Sequence, residues 1–242
     1  MLLNYLLRGL INFLLFFLGT KVVTGRENIP TQGPYIIVVN HMSKADPPLL
    51  YVSFPTFKLR FFAAEKWESH PLFGPIMRWA GAIYINRGEV DRKALREAMD
   101  ELAKGSIFGL APEGTRSRVH AMIHAKDGAA YLASRSNVPI LPVGVVNTDI
   151  LGENVLRLRR TRLECHIGKP FMLPELGHRP KGNELAAYTH YIMVKIAQLL
   201  PTRYYGYYAT SPALAAALRG EDPWPHCLAV ETSRPVETTP AG

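Results

Sequence analysis

The sequence predicts an α/β domain in which helices flank a largely parallel or mixed sheet. Short runs of β-branched and aromatic residues alternate with longer amphipathic segments, as in strand–helix units. The clearest strand is Tyr35–Val39, whose β-branched run suits a buried, pleated surface. The clearest helix is 90–104, where apolar residues recur at helical spacing until Gly105 ends the segment.

The same patterns predict the other elements. Strands are expected at 21–25, 59–64, 82–86, 106–110, 140–146 and 163–168, and helices at 47–54, 72–80, 127–136 and 183–200. We divide the chain into an N-terminal helix at 1–20, an α/β domain at 21–220 and a disordered tail at 221–242. The tail is rich in Pro, Thr, Glu and Ala without periodicity. Just before it, the tyrosine cluster 204–208 is predicted to pack on the domain.

The composition fits one domain with an anionic partner. At 242 residues the chain can bury a substantial core, and 28 Lys and Arg against 20 Asp and Glu give a formal charge of +8. This balance favours a phospholipid surface, a phosphorylated substrate or an acidic carrier protein. No helix-turn-helix, zinc or RNA-binding pattern is present, which argues against nucleic acid. Cys165 and Cys227 are predicted to be reduced thiols.

The first 20 residues predict a helix that lies on a membrane. Asn4, Arg8 and Asn12 interrupt an apolar stretch at a spacing of four, so a helix places them on one face. The uninterrupted apolar run, 9–19, is shorter than the roughly 20 residues of a spanning helix. No acidic residue precedes Glu27, which suits an anionic interface. The alternative is a core helix of the domain.

A histidine and a carboxylate flank the loop that follows the central strand. His41 comes directly after Asn40 at the strand's carboxyl end, and Asp46-Pro47 is typical of a helix start with Asp46 as the cap. A neutral imidazole is a suitable general base near pH 7. Asp46 acting only as a helix cap is the alternative interpretation. Ser43 is a rival nucleophile, although the chain has no Gly-x-Ser-x-Gly elbow.

Four ordered blocks resemble the glycerolipid (lysophospholipid) acyltransferase family, of the 1-acyl-sn-glycerol-3-phosphate acyltransferase type. They read NHMSKAD at 40–46, GAIYINRG at 81–88, PEGTRS at 112–117 and VPILPV at 138–143. The resemblance extends over about 25–169. It implies that His41 takes the proton of the substrate hydroxyl and that Asp46 orients and stabilises the imidazole, as in a serine-protease triad. No covalent intermediate is then required.

The resemblance also implies contacts to phosphate. Arg87 closes the second block and Arg116 lies within the third, and a planar guanidinium can bind phosphate through two hydrogen bonds. Lys126 matches a further family position, where it binds a donor or acceptor phosphate or forms a salt bridge.

The rest of the third block supplies the remaining candidate contacts. Gly114 lets the backbone approach a ligand, and Thr115 and Ser117 offer hydroxyl donors. Glu113 is unexpected beside a phosphate. Two roles stay open for it: accepting hydrogen bonds from glycerol hydroxyls, or orienting Arg116.

The function implied by the resemblance is acyl transfer at a membrane. The acceptor is the free hydroxyl of 1-acylglycerol-3-phosphate (lysophosphatidic acid), the donor is an acyl thioester of coenzyme A or acyl carrier protein, and the product is phosphatidic acid. The expected location is monotopic, on the cytoplasmic face of the cell membrane. Alternatives are a family member with another acceptor, such as glycerol 3-phosphate or a different lysolipid, a thioesterase, and a non-catalytic lipid-binding protein.

No metal or redox cofactor is expected. His120 and His124 have the spacing of metal ligands on a helix, but no third ligand accompanies them, so we interpret them as solvated loop residues. The arginines of segment 157–162 form the densest basic run in the chain. That run is predicted either to contact lipid headgroups or an acidic carrier, or to keep a strand edge soluble.

Overall fold

The computed structural model describes residues 2–54, 59–86 and 91–232, and the strands of this part form one mixed sheet. Its strands are β1 (Gly19–Thr24), β2 (Tyr35–Val39), β3 (Leu59–Ala64), β4 (Ala82–Ile85), β5 (Ile107–Leu110), β6 (Ile140–Val146) and β7 (Thr161–Ile167). Their order is β1-β7-β6-β2-β5-β3-β4. All neighbouring pairs are parallel except β6 and β7. The predicted α/β fold with a parallel or mixed sheet is confirmed.

Helices cover both faces of this sheet. They are α1 (Leu2–Leu18), α2 (Asp46–Ser53), α3 (Phe73–Trp79), α4 (Arg92–Ala103), α5 (Gly128–Ser136), α6 (Leu151–Leu156), α7 (Asn183–Ala197), α8 (Pro212–Leu218) and α9 (Trp224–Thr232). One buried cluster joins α1, α2 and α6 to the sheet, and the other joins α4, α5, α7, α8 and α9 to its opposite face. Helices α6, α8 and α9 were not predicted, because they are short and lack strong periodicity.

Strand β2 is the centre of the fold because its side chains enter both clusters. Tyr35, Ile37 and Val39 pack on the α1–α2 side, whereas Ile36 and Val38 pack on the other side. A strand that is buried on both faces needs a continuous apolar run, as the sequence shows. Its parallel neighbours are β5 and β6, so the carboxyl ends of all three strands meet at one edge, here called the catalytic edge.

The catalytic edge also receives the end of α1. Because β7 runs antiparallel to β6, β7 begins at this edge, and β1 runs parallel to β7. Gly19, the residue directly after α1, pairs with Thr161 at the start of β7. The carboxyl end of the N-terminal helix therefore lies at the same edge as the loops that follow β2, β5 and β6.

Helix α1 turns its polar face toward the domain. The Arg8 guanidinium donates to the Tyr51 carbonyl, the Tyr51 hydroxyl donates to Asn4 Oδ1 at 3.1 Å, and Lys21 Nζ donates to Asn12 Oδ1 at 2.6 Å. The outward face carries large apolar side chains that are each more than half exposed: Tyr5, Leu6, Leu10, Phe13, Leu14, Phe16 and Phe17. Within the described ranges, no helix has the length and hydrophobicity needed to cross a membrane.

The prediction of a disordered tail at 221–242 is wrong for the part of it that forms a helix. Residues Trp224–Thr232 form α9, in which Cys227 is fully buried. The Trp224 ring stacks on Tyr188 of α7 with the ring centroids 5.0 Å apart. Burial of Cys227 and stacking of Trp224 stabilise this helix, although the segment around it is rich in Pro and Glu. Residues 233–242, the rest of the predicted tail, lie outside the described residues.

Two smaller predictions have clear outcomes. The tyrosine cluster packs on the domain as expected, with Tyr204, Tyr205 and Tyr208 buried. Asp46 does not cap α2, because Ala45 occupies the capping position and Asp46 is the first helical residue. Its carboxylate instead turns back to the loop that follows β2, as described next.

Candidate active site

His41 and Asp46 form a close pair at the catalytic edge. His41 Nδ1 lies 2.8 Å from Asp46 Oδ2, and the side chains are 18% and 2% exposed. The same Asp46 oxygen accepts the backbone N–H groups of Met42 at 2.7 Å and Ser43 at 2.8 Å. The carboxylate oxygen can also accept the proton on His41 Nδ1, which leaves Nε2 as the acceptor nitrogen.

Backbone contacts fix where His41 lies. The Asn40 side chain exchanges two hydrogen bonds with Val145 of β6, at 2.9 Å to its carbonyl and 2.8 Å from its N–H. The amide of Asn40 thereby replaces the main-chain pairing that ends at Val39. The His41 carbonyl accepts the Ser117 N–H at 2.8 Å. The chain around His41 is therefore held by β6 on one side of β2 and by the loop after β5 on the other.

Glu113 is the unexpected member of this set. Its Oε1 accepts the backbone N–H of His41 at 2.8 Å, and its Oε2 accepts the N–H of Ile123 at 3.0 Å. The side chain is 1% exposed. Burial raises the pKa of Glu113 to about 7, although the two N–H donors act in the opposite direction. Both carboxylate oxygens are thus used by backbone N–H groups of two different loops, a role that the sequence did not predict.

The third block folds as a tight loop after β5. Gly114 has φ +66°, and a Cβ there would lie 3.2 Å from Lys126 Cδ, so glycine lets the lysine stem cross the backbone. The Ser117 hydroxyl donates to the Ala121 carbonyl at 2.6 Å and is buried. Its predicted contact to substrate is therefore replaced by an internal one. Thr115 and Lys126 remain exposed at the loop surface.

Arg116 is the predicted phosphate ligand of the third block. It is half-buried, and within residues 2–54, 59–86 and 91–232 no hydrogen bond or ion pair to its guanidinium is recorded. A half-buried guanidinium without a carboxylate partner is a good receptor for phosphate. Arg87, the other predicted phosphate ligand, lies outside the described residues.

Sequence reasoning missed a second histidine–carboxylate pair at the same edge. His120 Nδ1 lies 3.1 Å from Asp149 Oδ2, and Asp149 Oδ1 accepts the hydroxyl of the buried Tyr204 at 2.7 Å. His120 is 65% exposed, as expected of a loop residue, but its ring contacts Asp149 and its backbone has φ 54°. The signal was available, since His120 and Asp149 follow β5 and β6, the two strands that flank β2.

Comparison with known proteins identifies the family. A family profile described as Acyltransferase matches residues 21–146, just over half of the chain. The chain belongs to the acyltransferase family. The match begins in β1 and ends with β6, so it contains both members of the His41–Asp46 pair and the Glu113 loop.

Several curated acyltransferases are similar to this chain. The 1-acyl-sn-glycerol-3-phosphate acyltransferase of Borreliella burgdorferi is 32% identical over 60% of this chain and 58% of that protein. The Saccharomyces cerevisiae protein of the same name is 34% identical over 57% of this chain and 46% of that protein. The Bacillus subtilis protein of that name is 23% identical over 75% of this chain and 88% of that protein. The chain thus spans about half the length of the first two.

A solved acyltransferase structure shares the fold. The 1-acyl-sn-glycerophosphate (LPA) acyltransferase from Thermotoga maritima aligns with a TM-score of 0.63 and 25% identity, over 81% of this chain and 78% of that one. This likeness supports a single α/β domain around the mixed sheet. In an acyltransferase, an imidazole backed by a buried carboxylate at the end of a central strand is suited to take a proton from a hydroxyl nucleophile.

Proposed function

We propose that this acyltransferase is a 1-acylglycerol-3-phosphate O-acyltransferase that produces phosphatidic acid for phospholipid biosynthesis. The observation that carries the proposal is the 2.8 Å contact between His41 Nδ1 and Asp46 Oδ2 at the edge that also presents Arg116. The names of the three curated relatives and of the solved structure support the choice of acceptor.

The proposed reaction needs only groups that the edge supplies. His41 Nε2 takes the proton of the acceptor hydroxyl as its oxygen attacks the thioester carbonyl, and Asp46 stabilises the imidazolium that forms. When the carbon–sulfur bond breaks, the leaving thiolate recovers that proton from His41. The donor is an acyl thioester of coenzyme A or acyl carrier protein. No electrons are transferred, and no metal or redox cofactor enters the scheme.

Phosphate recognition is assigned to two cations of the loop that follows β5. Arg116 is half-buried, and Lys126 crosses Gly114 on the same loop. Arg87 is retained as a proposed ligand on the strength of the second block. Glu113 and Ser117 support the loop instead of contacting substrate.

Helix α1 is the proposed membrane contact. Its polar residues face the domain and its large apolar residues face outward, the reverse of a helix that only completes a core. Such a surface suits a monotopic protein whose helix lies in the bilayer interface. Because the end of α1 reaches the catalytic edge, this placement brings His41 close to a lipid acceptor. The proposed location is the cytoplasmic face of the membrane.

The assay that tests the function uses purified protein in detergent with a panel of acceptors. Acyl-CoA and the acyl thioester of acyl carrier protein are supplied in turn as donors, and products are identified by mass spectrometry. We expect phosphatidic acid from lysophosphatidic acid and no transfer by a His41→Ala variant, which loses about 10²–10⁴ in turnover from the missing base alone. Thioester hydrolysis without acceptor would indicate a thioesterase. Lysolipid binding without turnover would indicate a lipid-binding protein, and preferred transfer to glycerol 3-phosphate would reassign the acceptor.

A further inference from the structure

The end of α6 and the turn that leads to β7 present leucines to solvent at the catalytic edge. We define the leucine–arginine turn as residues 155–160, which read VLRLRR. Leu156 is 87% exposed and Leu158 is 95% exposed, the two highest values among the large apolar side chains of the described residues. Single exposed leucines are common on protein surfaces, but two almost fully exposed ones between arginines are not explained by packing.

Hydrogen bonds fix the conformation of this turn, although its side chains are exposed. The Leu158 N–H donates to the Val155 carbonyl at 3.0 Å, and the Arg159 N–H donates to the Asn154 carbonyl at 2.8 Å. The Asn154 side chain donates to Thr161 Oγ1 at 3.0 Å. Leu158 itself has φ 53°, a left-handed conformation that a leucine adopts at a cost. The backbone thus fixes an apolar side chain at the outermost point of the turn.

Arg160 connects the turn to α1. Its guanidinium donates to the carbonyls of Phe16 at 2.7 Å and Gly19 at 3.0 Å, and it lies 5.2 Å from the centre of the Phe16 ring. Phe16 and Phe17 are exposed on the outward face of α1. Arg160 therefore holds the turn next to the carboxyl end of α1.

Charge on the turn complements an anionic surface. Arg157 forms an exposed ion pair with Glu153 at 2.7 Å, whereas Arg159 is exposed and no ion pair to it is recorded among the residues that the structure describes. Arg162, near the start of the adjacent strand β7, forms an ion pair with Glu164 at 3.0 Å, and Lys21 of β1 donates to Asn12. Arginines beside leucines match the two layers of a bilayer, since phosphates lie at its surface and hydrocarbon lies beneath.

We propose that the leucine–arginine turn is a second membrane-contact element, in which Leu156 and Leu158 enter the hydrocarbon of an anionic bilayer and Arg159 binds lipid phosphate. The proposal rests on the proposed lipid acceptor and on α1 as the first contact. Two contacts that are joined through Arg160 fix the orientation of the domain, so that the catalytic edge faces the bilayer. A second copy of this chain is a poorer occupant, because two proteins of formal charge +8 repel each other.

An environment-sensitive dye at residue 158 tests the insertion directly. Both native thiols are buried, so a Leu158→Cys variant can be labelled selectively under native conditions. Vesicles of phosphatidylcholine with phosphatidylglycerol should shift the dye emission to the blue. A matched Leu218→Cys label, on the 54% exposed leucine of α8 in the opposite layer, should not respond. An unchanged emission at residue 158 would overturn the proposal.

Two substitutions test the energetics with the full chain. Asparagine tolerates the left-handed conformation, so the melting temperature of Leu158→Asn should not fall. The partition of this variant to mixed vesicles should weaken about tenfold, because the inserted apolar side chain is lost. Arg159→Ala should weaken binding about fivefold on mixed vesicles and very little on pure phosphatidylcholine. Leu218→Asn is the matched control, with unchanged partition. Equal partition of Leu158→Asn and wild type would contradict the insertion.

The remaining outcomes separate this proposal from its rival and from the proposed function. If purified acyl carrier protein shifts the dye at residue 158 and vesicles do not, the turn is a carrier site and the proposal is wrong. Dye emission and partition are read without turnover, so they stand even if no acyl transfer is found. Conversely, Leu158→Asn should keep wild-type activity on short-chain lysophosphatidic acid below its micellar concentration, since only delivery from the bilayer changes.

Discussion

Glu113 accepts the backbone N–H of His41 at 2.8 Å although 72 residues separate them in the sequence. Its other oxygen accepts the N–H of Ile123, so one buried carboxylate joins the loop after β2 to the loop after β5. This link makes the position of the imidazole depend on a residue that does not touch it. This contact supports a positioning role for Glu113, and it accounts for an acidic side chain in the block to which we assign phosphate binding.

Glu113→Gln should reduce turnover without abolishing the fold. The amide has one oxygen and one NH₂ group, so it can accept only one of the two backbone N–H groups and directs donors at the other. The released loop lets His41 shift, and general base catalysis is sensitive to displacements of this size. We expect kcat to fall about 10- to 100-fold with the KM for lysophosphatidic acid nearly unchanged. A change confined to KM would place Glu113 in the substrate site instead.

The same carboxylate should make stability depend on pH. Burial raises its pKa from 4.5 in the unfolded chain to about 7 in the folded one. Between these values the folded state retains a proton that the unfolded state has lost, so the free energy of unfolding falls as pH rises. Below pH 4.5 and above pH 7 this contribution is constant.

Denaturant titrations of wild type and Glu113→Gln from pH 4.5 to pH 8 test this dependence. The difference between the two unfolding free energies should change by about 3 kcal/mol across the interval, in the direction that favours the variant at high pH. Other titrating groups are common to both proteins and cancel in the difference. Two parallel curves would show that Glu113 is ionised throughout and that its N–H donors outweigh its burial.

Asp46→Asn tests the pair directly. Asp46 is not the cap of α2, so the variant should not lose stability through a missing cap, although its contacts to the Met42 and Ser43 N–H groups weaken. The amide cannot stabilise an imidazolium, and we expect turnover to fall by about 10²–10⁴. Ser43→Ala is the matched control from the same loop and should keep activity within about tenfold, since a serine that is not the nucleophile contributes no chemistry. An inactive Ser43→Ala with a folded far-UV spectrum would favour a covalent mechanism.

Much of the framework of this site could be predicted from local patterns. The buried run Tyr35–Val39 and the turn into Asp46-Pro47 are short-range signals, and they correctly bring His41 and Asp46 together. The role of Glu113 was not predictable in the same way, because its partners, the N–H groups of His41 and Ile123, are backbone atoms without a sequence signature. The prediction of a disordered tail was wrong for a related reason. Burial of Cys227 and stacking of Trp224 depend on tertiary contacts with α7 and α8 that composition does not reveal.

Arg116 should control how tightly the acceptor phosphate is bound. Arg116→Ala should raise the KM for lysophosphatidic acid about 10- to 150-fold and leave the KM for the donor nearly unchanged, because charge-assisted hydrogen bonds contribute about 1.5–3 kcal/mol. Arg116→Lys should restore only part of the loss, since an ammonium group cannot form the bidentate contact. Arg118→Ala is the matched control, as Arg118 is exposed on the same loop. Its KM should stay within about threefold, the range of an exposed charge.

Monoacylglycerol, which lacks the phosphate, distinguishes binding from structure in the same experiment. It should be a poor acceptor for the wild type, and Arg116→Ala should impair it little further, because the lost contact was made only to phosphate. If both acceptors were impaired equally, Arg116 would support the loop and the phosphate assignment would fail. If turnover fell while KM stayed constant, the guanidinium would act mainly in the transition state, and the phosphate contact would strengthen only as the acceptor oxygen attacks.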